Sequence, residues 1–129
     1  MSYLENIGKN STKAFENLKT LKHDKIKKIL ESYNKSLKKN KQKIIKENQK
    51  DVKNIKRNNL IDRLILNDER IEVIRHSINE IRSFKNPIGQ ILKTWKRPNK
   101  LNIKKISTPI GVIGVIYESR PNVTADVAA

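Results

Sequence analysis

The sequence predicts an α/β fold in which amphipathic helices lead into the first strand of a sheet buried on both faces. Three observations carry the prediction. Apolar residues recur at steps of three and four through residues 4–81, the helical period. From Pro109 onward the chain changes character, to Ile110-Gly111-Val112-Ile113-Gly114-Val115-Ile116. A continuous run of β-branched residues bounded by turn formers is the pattern of a strand in a parallel sheet covered by helices. A polar cluster, Tyr117-Glu118-Ser119-Arg120-Pro121-Asn122, follows at once. Open α/β sheets place their ligands just past the carboxyl ends of such strands.

Taken in order, Leu4, Ile7, Ser11, Phe15, Leu18 and Leu21 form the stripe of a first helix. Gly8 within it costs about 1 kcal/mol relative to alanine. A second helix starts near His23-Asp24 and carries Ile26, Ile29, Leu30, Tyr33 and Leu37. A third runs through Ile44, Ile45, Asn48, Val52 and Ile55 and ends near Arg57-Asn58-Asn59, with an outer face of Lys, Asn, Gln and Glu. Residues 60–66 form a short apolar helical turn. Asn67 suits a helix N-cap, with Asp68 and Glu69 in the first turn where the helix dipole favours acids. The helix it opens shows Ile71, Ile74, Ile78 and Ile81 as one aliphatic seam, and Pro87 and Gly89 end it. Ile91, Leu92 and Trp95 then precede a turn at Arg97-Pro98-Asn99-Lys100, and residues 101–106 alternate as an edge or hairpin strand does. A small-residue helix begins near Val123. The chain thus divides into a helical lead-in (1–84), an extended segment (90–108), and a strand with the start of the next helix (109–129).

Composition bounds the function. The formal charge is +16 and only 36% of residues are hydrophobic, a combination that leans toward disorder or a polyanionic partner. Lys, Ile and Asn, however, account for 22, 19 and 15 of the 129 residues. These types are encoded mostly by A- and T-rich codons, and nucleotide bias is the plainer source of the charge. The chain has no cysteine, which excludes a disulfide framework, a thiolate metal site and a thiol nucleophile within these residues. No apolar run approaches the roughly 20 residues of a membrane span, and residues 1–5 lack the regions of a signal peptide. The chain reads as cytoplasmic.

Few constellations point to chemistry. His23 and His76 fall in different helices without carboxylates at metal-ligand spacing, so no metal site is expected. The lysine-rich stretch 35–56 lacks interleaved aromatics and any helix-turn-helix or zinc-finger signature, which disfavours nucleic acid and leaves a solvated face. Trp95 lies among basic residues, where anchoring a loop is commoner than stacking on a base. Gly111-Val112-Ile113-Gly114 lacks the spacing of a dinucleotide fingerprint. The cluster of residues 117–122 is richer. A guanidinium recognises phosphate or carboxylate in a bidentate way, and an amide donates to a developing oxyanion. Free N–H groups of the following helix favour an anion. The plainer reading is that this cluster only caps the strand and the next helix.

GVIGVIYESRPNVTADVAA (residues 111–129) resembles a segment of the γ-glutamyl phosphate reductases, or glutamate-5-semialdehyde dehydrogenases. The resemblance extends to LIDRLILNDERIEVI (60–74), NPIGQIL (86–92), TWKRPNKLNIKKISTPIG (94–111) and ENQKDV (47–52), in family order. The first forty residues match in pattern only, and the link before Leu60 is shorter than the family's. The family's chain is several hundred residues long, so the sequence resembles an amino-terminal fragment lacking the catalytic cysteine. The resemblance implies an aldehyde-dehydrogenase-like, Rossmann-type cofactor domain. It implies reduction of L-glutamyl 5-phosphate with NADPH to L-glutamate 5-semialdehyde and phosphate, a step of proline biosynthesis. The implied chemistry is covalent, a thiolate displacing phosphate before hydride transfer from the nicotinamide.

By the same resemblance, an amide after this strand stabilises an oxyanion, and its neighbours line the nicotinamide pocket. Arg120 and Asn122 both fall near that place. Amide chemistry favours Asn122 for oxyanion or substrate contact, leaving Arg120 for phosphate or carboxylate and Glu118 and Ser119 for the cofactor. Residues 100–108 resemble the segment leading to the family's oligomerisation arm, which implies a homo-oligomer. The expectation is a fragment inactive alone. The alternative is a small basic helical protein that binds nucleic acid, which the motif series opposes.

Overall fold

The computed structural model describes residues 2–56 and 60–129. The predicted end of the third helix at Arg57-Asn58-Asn59, and the short link before Leu60, lie outside the described residues. The chain clusters into two compact units. One contains the residues up to His23 with Lys85–Gly114, the other Asp24–Phe84 with Val115–Ala129.

The first unit holds a helix and a hairpin. Helix α1 (Tyr3–Leu18) opens on a capping box, in which the Ser2 hydroxyl accepts from the Glu5 N–H and the Glu5 carboxylate accepts from the Ser2 N–H at 2.6 Å. Gly8 does not break it. Its apolar stripe is largely open to solvent, with Leu4 75% and Leu18 52% exposed. Strands β1 (Ile91–Lys96) and β2 (Asn102–Ile106) pair antiparallel, Trp95 facing Ile103, with a bulge between Ile91 and Lys93. The predicted turn is present. Arg97 N–H donates to the Leu101 carbonyl at 2.9 Å, and Lys100 takes the left-handed conformation at φ 65°.

The second unit carries the buried core. The two helices expected over residues 23–55 are one, α2 (His23–Asn54), 32 residues long. Residues 38–43 are polar, but Lys and Gln are good helix formers, and nothing there terminates a helix. Loss of apolar periodicity marks a solvated stretch, not a break. Short helix α3 (Ile61–Leu64) precedes α4 (Asp68–Ser83), capped as expected by the Asn67 side chain accepting from the Arg70 N–H at 2.8 Å. Helix α4 ends at Phe84, whose backbone turns extended, three residues before Pro87.

Helices α2 and α4 run antiparallel, as their contacts show. Glu31 meets Arg82, Asn34 meets Arg75, Lys41 meets Asp68 and Glu72, and Asn48 meets Leu64 and Leu66. Between them Leu30, Leu66, Ile71, Ile74, Ile78 and Ala125 form the core. The predicted isoleucine seam is its centre, with Ile78 only 1% exposed. The bond from Lys41 holds the Asp68 carboxyl below the usual carboxylate range and raises the Lys41 ammonium. Along α2, Lys35 pairs with Glu31, which also reaches Arg82, and Lys50 pairs with Glu47, the local pairs expected of a charged helix surface.

Residues 110–116 differ from their expectation. They form no strand, and the only sheet among the described residues is the β1–β2 hairpin. A strand exists through its ladder partners, and none of the described segments pairs with this one. The run is consequently bare, with Ile113 65% exposed and Ile116 fully so. This much apolar surface in one segment drives association. We expect the isolated chain to bind a hydrophobic dye and to self-associate at micromolar concentration. An I113K/I116K double substitution should make it monodisperse in light scattering. An unsubstituted chain that is monomeric and dye-silent would contradict this.

Candidate functional site

The polar cluster after the bare run sits at the start of helix α5 (Pro121–Ala128), which begins two residues earlier than the sequence suggests. Pro121 occupies the first turn, where its missing N–H costs nothing. Arg120 is the N-cap residue, but its side chain makes no capping bond. Ser119 bends the chain at φ 53°, a left-handed conformation uncommon outside glycine. The Tyr117 hydroxyl bonds the Thr124 hydroxyl at 2.7 Å, and the Val123 N–H donates to the Arg120 carbonyl at 3.0 Å. Ala125, 6% exposed, seats the helix in the core against α4.

Beside α5 lies a cleft of about 280 Å³. Ile65, Leu66, Val73 and Ile74 form its apolar wall, and Arg63, Arg70, Ser77, Asn122 and Asp126 are its polar lining. Of the four site residues singled out in the sequence, only Asn122 lines this cleft. Glu118 and Arg120 are exposed and Ser119 half-buried on the turn above α5. Asn122 reaches Asp126 one helical turn on, at 3.5 Å, a long contact that leaves its amide available.

The two arginines of the cleft differ in what they can do. Arg70 is committed to the loop between α3 and α4: it pairs with the Asp62 carboxylate at 2.8 Å and donates to the Ile65 carbonyl at 2.9 Å and to the Asp62 carbonyl. Its work is structural, satisfying carbonyls at a helix end. Arg63 makes no ion pair among the described residues, so it is the cation the cleft can offer an anion. Sequence reasoning missed Arg63 and Asp126. Asp126 carried one signal, its position four residues after Asn122. Its charge, after burial, helps raise the Tyr33 hydroxyl above its usual range. Arg63 had no signal beyond lying in an apolar turn. Among the described residues no group of three or more His, Asp and Glu side chains is placed to hold a metal ion. Nor, among the described residues, is any helix long and apolar enough to cross a membrane.

No family model matches the chain. Individual proteins do. Gamma-glutamyl phosphate reductase of Clostridium acetobutylicum is 41% identical over 131 residues, covering 98% of this chain and 31% of the relative. The chain is a homologue of gamma-glutamyl phosphate reductase. The enzyme of that name from Thermoanaerobacter sp. is 52% identical over 90 residues, 67% of this chain and 22% of the relative. Among solved structures, gamma-glutamyl phosphate reductases from Thermotoga maritima and Saccharomyces cerevisiae each superpose with a TM-score of 0.91 at 30% identity. Each superposition covers 98% of this chain and about a third of the larger one. The chain therefore matches the amino-terminal part of these reductases and spans about a third of the length of the curated relatives it matches. At 98% coverage of this chain the alignment also takes in nearly all of the first forty residues, whose likeness to the family is one of pattern.

Proposed function

We propose that this chain contributes the amino-terminal part of a cytoplasmic, homo-oligomeric reductase that converts L-glutamyl 5-phosphate to L-glutamate 5-semialdehyde and phosphate with NADPH. The observation that carries this reading is the homology to gamma-glutamyl phosphate reductases along 98% of the chain. The residues at the turn have the chemistry the reading needs. Asn122 offers amide N–H groups at the head of a helix, suited to an oxyanion. Arg120, exposed on the turn, is free to meet a phosphate or carboxylate. Glu118 and Ser119 present a carboxylate and a hydroxyl. That pair fits the ribose hydroxyls or carboxamide of a nicotinamide cofactor and does not suit its phosphates, so these two residues would hold only the cofactor's neutral end. The cofactor supplies hydride. This chain would orient the acceptor and, through the Asn122 amide, stabilise the negative charge that develops on the substrate oxygen. A thiolate nucleophile is not among these residues, so the chain alone is inactive under this reading.

The test is to join the chain to the part of the Clostridium acetobutylicum relative that it does not cover. The oxidative direction is then assayed, with glutamate 5-semialdehyde, phosphate and either NADP+ or NAD+. Phosphate-dependent reduction of NADP+ is the expected result. A folded joined chain with no such activity would sink the reading, and preference for NAD+ would correct the cofactor.

A further inference from the structure

We propose that Tyr117 and Thr124 are positioning residues, a pair of hydroxyls that latches the turn carrying Arg120 and Asn122. This rests on the functional reading above and adds to it two residues that touch no substrate. The turn needs such a device. Ser119 holds a left-handed conformation without being glycine, a state that persists only where surrounding contacts impose it. The helix that follows has no side-chain cap, because Arg120 at the N-cap makes no capping bond. Among the described residues, one main-chain bond, from the Val123 N–H to the Arg120 carbonyl, holds the turn itself. The bond between the Tyr117 and Thr124 hydroxyls, at 2.7 Å, spans seven residues and encloses all four candidate site residues in its loop.

The length of that bond is typical of a well-formed O–H···O contact. Its far end is firmly held, since Thr124 precedes Ala125, which is buried in the core against α4. Tyr117 is therefore tied to a helix anchored in the core of the unit, and the turn between is held at both ends. Untied, Ser119 relaxes toward ordinary backbone conformations and carries Arg120 with it. Tyr117 is 45% exposed, so the bond competes with water and its loss is a modest effect.

The local test uses the chain itself. A glutamate-specific protease cuts after Glu118, inside the loop, and mass spectrometry follows release of residues 119–129. Tyr117→Phe and Thr124→Val should each speed that release about fivefold, the double variant no further, while Thr124→Ser behaves as the parent. Release within twofold of the parent in both single variants would overturn the latch. In the joined reductase, the same substitutions should lower kcat and raise KM for phosphate, each about fivefold, because Asn122 and Arg120 both leave their places, with the melting temperature little changed, which a merely stabilising bond would not do. An active joined chain whose kcat ignores both substitutions overturns the positioning role alone. Inactivity of the unsubstituted joined chain overturns the functional reading and the positioning role together, while faster release would still uphold the latch as a feature of the turn.

Discussion

Asn122→Ala in the joined reductase is expected to lower kcat by about 10²–10³-fold, the loss typical of removing one oxyanion donor. KM should change little, because the donor acts on charge that appears only as the reaction proceeds. Arg120→Ala is the informative partner experiment. If Arg120 holds phosphate or carboxylate in the ground state, its loss raises KM for phosphate and leaves kcat near the parent value. The reverse pattern, kcat lost with Arg120 and kept without Asn122, would exchange their roles. The geometry favours the first outcome. Asn122 lies in the first turn of α5 and lines the cleft, whereas Arg120 stands on the turn before the helix and does not line it, although both side chains are open to solvent. The helix holds the amide in place, and an oxyanion donor works by being preorganised.

Asn48→Ala should destabilise the second unit by about 2–4 kcal/mol, an estimate from the cost of buried polar groups left without partners. Asn48 is 5% exposed and works in both directions. Its amide donates to the Leu64 carbonyl at 2.9 Å, and its carbonyl accepts from the Leu66 N–H at 2.6 Å. The side chain thus substitutes for a strand of backbone, holding the α3–α4 link onto α2 while Leu66 enters the core. Alanine removes both bonds and leaves a buried N–H without a partner. Aspartate keeps the acceptor but buries a charge and loses the donor, so it should be worse. Asn40→Ala is the control, since its exposed amide only reaches back to the Ser36 carbonyl, and it should lie within about 0.5 kcal/mol of the parent. Urea unfolding followed by circular dichroism reads all three. An Asn48→Ala midpoint equal to that of the control would show that the link is held by other contacts.

These two asparagines mark where sequence reading succeeds and where it stops. The seam of Ile71, Ile74 and Ile78 was legible because period alone identifies a buried helical face, and Asn67 because a cap has a local signature. In a chain with 15 asparagines, composition makes each one look incidental. Asn48 could be placed on the apolar stripe of its helix. Asn34 could not, yet it is 5% exposed and clasps Arg75, donating to its carbonyl and accepting from its Nε at 2.9 Å. Burial of a polar residue depends on a partner from another element, here 41 positions away, and local pattern carries no trace of that. The same limit shaped the site. Residue types at 117–122 announced chemistry, but the cleft is completed by Arg63 from the α3 turn. The run at 110–116 shows the opposite limit: strand propensity was plain, but a strand is a property of a pair.

The hairpin gives the molecule a built-in spectroscopic division. Trp95 is the chain's only tryptophan and sits on β1, opposite Ile103, in the unit that lacks the isoleucine core. Its emission reports on strand pairing, while far-ultraviolet ellipticity comes mostly from α2 and α4 in the other unit, with a smaller share from α1 in its own. Melting curves recorded by the two signals on one sample compare the units directly. Coincident curves mean one cooperative transition. Separated curves would give each unit its own midpoint without any label or substitution.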